Sequence, residues 1–236
     1  MTAQAVNYSL QNDIALIQMD DGKVNALTHS MLDELDAALT KAEQEAKAIV
    51  FTGRAGRFSA GFDLKVMMAG PESANGLLKK GAPFFMRLYG SRLPLVVACS
   101  GHAVAGGALM TLCGDVRIGV EGPFKIGLNE TAVGLPLPII GIELARDRLA
   151  KTALSAATLG AFIYDSKSAV KAGYLDQIVD GDSLMETAYQ AATVLAGYNS
   201  MAFYETKKRL RGKTIDYINA TLDDDLANFA KAMGAG

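Results

Sequence analysis

Two glycines and one carboxylate have types and positions that can do chemistry together. Gly106-Gly107 follow an apolar run, Leu93 to Cys99, that stops at Ser100-Gly101, and Glu130 comes later in a glycine-flanked segment, GLNETAVG. A strand feeding a glycine-marked helix start leaves first-turn N–H groups without intrahelical partners, at the positive end of the helix dipole. Such a start can hold a developing negative charge, and a carboxylate brought beside it can move protons. A second glycine-bearing stretch, Arg54–Lys65 (RAGRFSAGFDLK), follows the apolar run Ala48–Phe51. Alone it reads as a loop, and it is not a Walker motif. Taken one at a time, Glu130 would be an ordinary loop acid, and Leu109, three residues after Gly106, ordinary helix packing.

The elements that must position these residues are legible from periodicity. Val6–Leu10 and Ile14–Met19 alternate apolar and polar about Gln11-Asn12-Asp13, a hairpin pattern. Thr28 is placed to cap a helix that carries Met31, Leu32, Leu35, Ala38, Leu39 and Ala42 on one face. Further strands are expected at Ala48–Phe51, Pro94–Cys99, Val116–Val120, Pro123–Ile126 and Leu175–Val179, with a helix over Gly107–Cys113. Val66–Leu93 predicts helix in pieces, broken at Gly70-Pro71 and Gly81, and its methionines and phenylalanines suit core packing or an adaptable pocket wall. Helical patterns cover Ile142–Leu149, Ser155–Ile163, Ala169–Ala172 (capped by Ser166), Leu184–Tyr198 (capped by Ser183), Ser200–Leu210 and Ile215–Met233. The run Lys207–Arg211 (KKRLR) reads as a solvated helix face. Strands alternating with helices favour an α/β fold with crossover connections.

Composition narrows the function classes. With 236 residues, half of them hydrophobic, the chain can bury one sizeable core. A formal net charge of −2 gives no basic surplus for nucleic acid or an anionic membrane. The start of the chain, MTAQAVNYSL, shows no leader pattern, and the most apolar window, Leu93 to Cys113, is too punctuated by glycine for a membrane span. Cys99 and Cys113 are expected as buried free thiols, which suits a reducing, cytoplasmic location; with only His29 and His102 beside them they offer no conventional metal site.

Phe58–Lys65 (FSAGFDLK) and Gly101–Ile118 (GHAVAGGALMTLCGDVRI) together resemble the paired motifs of the crotonase, or enoyl-CoA hydratase/isomerase, superfamily. Val24–Leu27, Ile49–Gly53, Gly127–Gly134 and Ser168–Asp180 add matches in the family's order, so the resemblance runs from about Asp13 to Leu210. It implies a crotonase/ClpP-like α/β spiral of ββα units over residues 1–180. A helical C-terminal oligomerisation region over 181–236 completes the same functional unit, in a homotrimer or hexamer. It implies an acyl-CoA thioester as substrate, with no separate cofactor, metal, nucleic-acid or membrane partner. Matched by motif, the backbone N–H groups of Phe62 and Gly106 form an oxyanion hole for the thioester carbonyl. The loop Ser59, Ala60 and Gly61, continued by Asp63, Leu64 and Lys65, receives CoA, with Lys65 near its phosphates and Asp63 bracing the loop.

The resemblance also makes the acids diagnostic. A hydratase of this superfamily uses two glutamates. The position of the first is Leu109 here, which lines the substrate site without a carboxylate, and the second matches Glu130. The setting GLNET resembles the mitochondrial-type 3,2-enoyl-CoA isomerases. The expected reaction is therefore the shift of a 3-enoyl-CoA double bond to the 2-position through a dienolate, in metabolism of the fatty-acid β-oxidation type. The alternatives are an enoyl-CoA hydratase or another crotonase-type reaction, and a non-catalytic acyl-CoA-binding subunit. Asn129 is placed to orient Glu130 by a hydrogen bond, while Asp63, Asp115 and His102 are expected to be structural. The last helix, with Tyr217, Leu222, Leu226 and Phe229, is expected to cover its own or a neighbouring site.

Overall fold

The computed structural model describes residues 4–234. The leader reading of Met1–Leu10 therefore falls partly on residues 1–3, which lie outside those described. The chain opens with β1 (Val6–Gln11) and β2 (Ile14–Met19), the expected hairpin, turned by Asn12 and Asp13 at positive φ. Next come β3 (Ala26–Leu27) and α1 (His29–Glu45). Thr28 caps α1 by accepting the Met31 N–H, and all six residues of the expected apolar stripe are buried. The chain continues through β4 (Ala48–Gly53), β5 (Gly56–Ser59), β6 (Gly61–Phe62), α2 (Leu64–Met67) and α3 (Pro71–Tyr89). There follow β7 (Leu95–Cys99), β8 (Gly101–Val104), α4 (Gly106–Cys113), β9 (Val116–Val120), β10 (Ile126–Gly127) and α5 (Ile139–Arg148). The last elements are α6 (Leu154–Ala157), α7 (Ser166–Ala172), β11 (Gln177–Val179), α8 (Leu184–Ala196) and α9 (Ser200–Gly234).

Six strands form the main sheet in the order β1-β2-β4-β7-β9-β11, and β10-β8-β5 and β3-β6 form two small sheets. Three times the chain lays one strand in the main sheet and the next in the small one (β4-β5, β7-β8, β9-β10) before turning into helix. This is an α/β fold of repeated ββα units, and every strand pair except β1–β2 is parallel. Central strands β4 and β7 are buried along their whole length, which explains their uninterrupted apolar runs. One face meets the large core; on the other, Leu184, Ala188 and Ala192 of α8 pack on Val50, Val96, Ala98 and Ile118. Among the described residues no helix is long and apolar enough to cross a membrane.

Several expectations need correction. The loop Arg54–Lys65 contains the short strands β5 and β6. Helix α3 runs unbroken through Gly81, because that glycine makes room for a neighbour: a Cβ there would lie 2.4 Å from the Phe62 ring. The helix expected over Ser155–Ile163 ends at Ala157, where Ala161 turns left-handed (φ 45°) and Tyr164 pairs with Ile126 instead. Of the expected strand Pro123–Ile126 only Ile126 joins a sheet, together with Gly127. Asp165, not Ser166, caps α7, and Ser183 makes no side-chain cap bond to α8. The two expected C-terminal helices are one, α9, of 35 residues. Nor is KKRLR a solvated face: Lys207 and Arg211, one turn apart, are buried against Asp115, and only the residues between them face water.

Candidate active site

The site is built where β6 meets the start of α4. Gly61 (φ 82°) turns the chain in a space that admits no side chain, since a Cβ would lie 2.6 Å from the Gly106 nitrogen. Ser59 shapes the turn, its hydroxyl donating to the Asn25 C=O at 2.7 Å and accepting the Gly61 N–H at 3.1 Å. The Asp63 N–H donates to the Leu27 C=O at 3.2 Å on β3. Successive amides along a strand face opposite edges, so the Phe62 N–H faces away from β3, toward α4. A Cβ on Gly106 would stand 3.4 Å from that Phe62 nitrogen. Gly106 is the first residue of α4, and no side chain caps the helix there. Two backbone N–H groups therefore adjoin, the Gly106 N–H outside the helical ladder and aided by the dipole. Ala105, at φ 50° and ψ −125°, holds this junction in a conformation that costs about 1–3 kcal/mol in an L-residue.

Glu130 leads into the 3-10 turn Thr131–Val133, and its C=O accepts the Leu135 N–H at 3.0 Å. The side chain is half-buried, with Oε2 closed off from solvent and without a hydrogen-bond partner. Burial pushes its pKa up to about 7, against a smaller opposing effect of the Glu130 and Asn129 backbone. Asn129 acts on Glu130 through its main chain.

Glu130 faces an apolar cavity walled by Phe62, Met67, Phe85, Leu109, Leu135 and Ile140. Leu109 lies on α4 one turn past Gly106 and is 3% exposed. The Phe62 ring stands edge-on to Phe85, centroids 5.8 Å apart. Of the aromatic and methionine run, Met67 and Phe85 are wall, whereas Met68 is exposed. Helix α9 of the same chain closes the cavity with Leu222, Asp225, Leu226 and Phe229, while Tyr217 points to solvent, 50% exposed.

Phe62, Leu109 and Glu130 thus share one cavity, with Gly106 beside it. Ser59, Ala60, Gly61, Asp63, Leu64 and Lys65 do not line it. Asp63 caps α2 through the Lys65 and Val66 N–H groups, as expected of a bracing residue, and Leu64 and Lys65 are exposed beyond it. His102 is hydrogen-bonded, its Nδ1 accepting the Lys125 N–H at 2.9 Å. Asp225 escaped the sequence reading because it ends an acidic run, Asp223–Asp225. Its signal was the spacing: Leu222, Asp225, Leu226 and Phe229 fall on one helical stripe.

Residues 9–234 match the family model described as enoyl-CoA hydratase/isomerase. The human mitochondrial enoyl-CoA delta isomerase 1 is 31% identical over 221 residues, 92% of this chain and 73% of that protein. The 2,3-dehydroadipyl-CoA hydratase of Escherichia coli K12 is 29% identical over 187 residues, 79% of this chain and 72% of the relative. Among solved structures, an enoyl-CoA hydratase/isomerase family protein from Pseudomonas syringae superposes with a TM-score of 0.94 at 38% identity, covering 97% of this chain and all of its own. Fold and sequence together place the chain in the enoyl-CoA hydratase/isomerase family, with the crotonase fold.

Proposed function

We propose that the chain is a 3,2-enoyl-CoA isomerase acting in cytoplasmic metabolism of the fatty-acid β-oxidation type. The observation that carries this reading is a carboxylate, Glu130, with Oε2 unpartnered, facing an apolar cavity lined by Leu109, which by the family resemblance stands where a hydratase has a second acid. The Phe62 and Gly106 N–H groups receive the thioester oxygen. Glu130 takes a proton from C2, the electron pair passes into a dienolate whose charge rests on that oxygen, and Glu130 returns the proton at C4. The double bond moves from C3–C4 to C2–C3, and no water is added. A pKa of about 7 suits one group to act as base and then acid. Removing one donor of such a hole typically costs about 2.7–4 kcal/mol of transition-state stabilisation. Leu109 offers nothing to hold a nucleophilic water, and the apolar walls strengthen the electrostatics inside.

CoA is assigned to the rim: the backbone at Ser59, Ala60 and Gly61, with exposed Leu64 and Lys65 beyond and Asp63 fixing their turn. The core (1–180) and the helical region (181–236) work as one unit, since α9 closes the cavity. The same region offers exposed Val194, Tyr198, Met201 and Leu210 as the contact surface of a homotrimer or hexamer; a single-chain mass in sedimentation equilibrium would contradict that assembly.

The test uses 3-hexenoyl-CoA, with the conjugated 2-enoyl product followed by absorbance. The wild-type chain turns it over, and Glu130→Gln lowers kcat by about 10³-fold or more while acyl-CoA affinity stays within about threefold. An active Gln variant refutes the role of Glu130. Efficient hydration of crotonyl-CoA by the wild type favours the hydratase reading. Tight acyl-CoA binding without turnover of either substrate leaves a non-catalytic binding subunit.

A further inference from the structure

The cavity that Glu130 faces has a second carboxylate in its wall, Asp225, on the stripe of α9 that closes it. Its Oδ2 is engaged, accepting the Ile139 N–H at 2.8 Å, and among the described residues that is its one hydrogen bond. Capping α5 does not require a charge there, since asparagine and serine serve a helix start about as well as aspartate. Burial pushes the Asp225 pKa up, while the Ile139 N–H favours the charged form. A half-buried acid stands where a neutral acceptor would do, so its charge needs a reason.

The rest of the wall supplies one. Glu130 and Asp225 are its two charged residues, and no lysine, arginine or histidine lines the cavity to offset them. Asp223 and Asp224, exposed just before Asp225, carry the same sign. With the thioester oxygen on the Phe62 and Gly106 N–H groups and C2 to C4 beside Glu130, the remaining carbons of an acyl chain are left the α9 wall. A methyl-ended chain meets Leu222, Leu226 and Phe229 there. A chain that ends in a carboxylate brings a third anion into a space without a cation, and like charges repel more strongly where water is excluded. An unmatched charge of this kind discriminates by penalising the wrong ligand, without strengthening the right one.

We propose that Asp225 is a specificity-determining residue, which admits acyl-CoA thioesters whose chains end in an uncharged group and turns away those that end in a carboxylate. The inference rests on the reading that this cavity receives the acyl chain; it does not require that Glu130 moves a proton.

Hexanoyl-CoA and adipoyl-CoA have the same number of acyl carbons, no double bond to move and different end groups. Their dissociation constants, read by titration calorimetry at pH 8, isolate the end group from turnover. The wild-type chain binds adipoyl-CoA about 100-fold more weakly than hexanoyl-CoA. Desolvation of any carboxylate and the Glu130 charge supply part of that ratio, and variants assign the share of Asp225. Asp225→Asn and Asp225→Ser remove the charge and keep an acceptor for the Ile139 N–H. Each narrows the ratio by about tenfold, in the wild-type chain and again in a Glu130→Gln background, where the other charge is gone. An Asp225 that only capped α5 would change both constants together and leave the ratio where it was. A ratio within about twofold of the wild-type value in both variants overturns the inference, as does equal binding of the two ligands by the wild-type chain. Hexanoyl-CoA bound no more tightly than CoA itself would overturn the reading of the cavity as an acyl site, and the inference with it. The expected ratios in a protein without isomerase turnover support the inference on its own.

Discussion

In an unfolded chain a glutamate titrates near about 4.3; in the folded protein burial moves Glu130 up to about 7. Between those values the folded state binds more protons than the unfolded one, so stability falls as pH rises through the window. The property that equips Glu130 to exchange protons at neutral pH thus weakens the fold there. Glu130→Gln keeps the shape and cannot ionise. It should be more stable than the wild type by about 1–3 kcal/mol at pH 8, with the gain shrinking to about a third or less at pH 5. Urea unfolding at the two pH values reads this directly. A gain that is equal at both, or larger at pH 5, would mean that the carboxylate is not desolvated. Leu109 makes the complementary point: nothing in its chemistry marks it, and it acquires meaning only from its place in the cavity that Glu130 faces.

At the scale of elements, legibility followed local consistency. In α1 the cap and the apolar stripe gave the same answer, and Thr28 and all six stripe residues stand as expected. Strands β4 and β7 were readable because both faces are covered. What misled were residues whose local preference is overridden by a distant partner. Gly81 looks like a break and is instead a seat for Phe62, a residue nineteen positions earlier in sequence and on another element. Lys207 and Arg211 look solvated, and their acceptors lie more than ninety residues away. The last helix was expected to cover its own or a neighbouring site through Leu222, Leu226 and Phe229, and it covers its own; Asp225, inside an acidic run and outside the motifs, was not legible. Asp225 also has a structural task. Pro138, the residue before α5, gives no side-chain cap, and the Asp225 carboxylate accepts the Ile139 N–H at 2.8 Å in its stead. Asp225→Ala should cost about 1–2 kcal/mol, the usual range for losing an N-cap acceptor, and Asp225→Asn, which keeps an acceptor oxygen, less than half of that. Urea midpoints of the two variants decide it; an Asn variant as unstable as the Ala one would show that the charge, not the acceptor, matters.

Across the whole molecule, α9 acts as a brace with two attachments. Its far half closes the cavity through Leu222, Leu226 and Phe229, and its near half is fixed to the junction of α4 and β9. There Asp115 accepts from Lys207 Nζ at 2.6 Å and from the Leu95 N–H at 2.8 Å, and pairs with the Arg211 guanidinium at 3.0 Å. Lys207 also donates to the Ser91 and Leu93 carbonyls at 3.0 Å, and Arg211 to those of Tyr89 and Cys113 at 2.8 and 3.1 Å. Both cations are almost wholly buried, 5% and 3% exposed, with this one carboxylate as their shared counterion. Burial pulls the Lys207 pKa down, and Asp115 opposes that pull. Asp115→Asn preserves the shape and leaves two buried cations uncompensated, a change that typically costs about 3–5 kcal/mol. Because the pair is shielded from solvent, added salt should leave that loss nearly unchanged, unlike the loss of an exposed pair. The same variant loosens the wall that α9 gives the cavity, so KM for acyl-CoA should rise by more than kcat falls. Chemical unfolding at low and high ionic strength, paired with steady-state kinetics, separates these effects. A variant with wild-type stability would mean that the carbonyls alone suffice for the cations, and α9 would then be held by its apolar stripe rather than by charge.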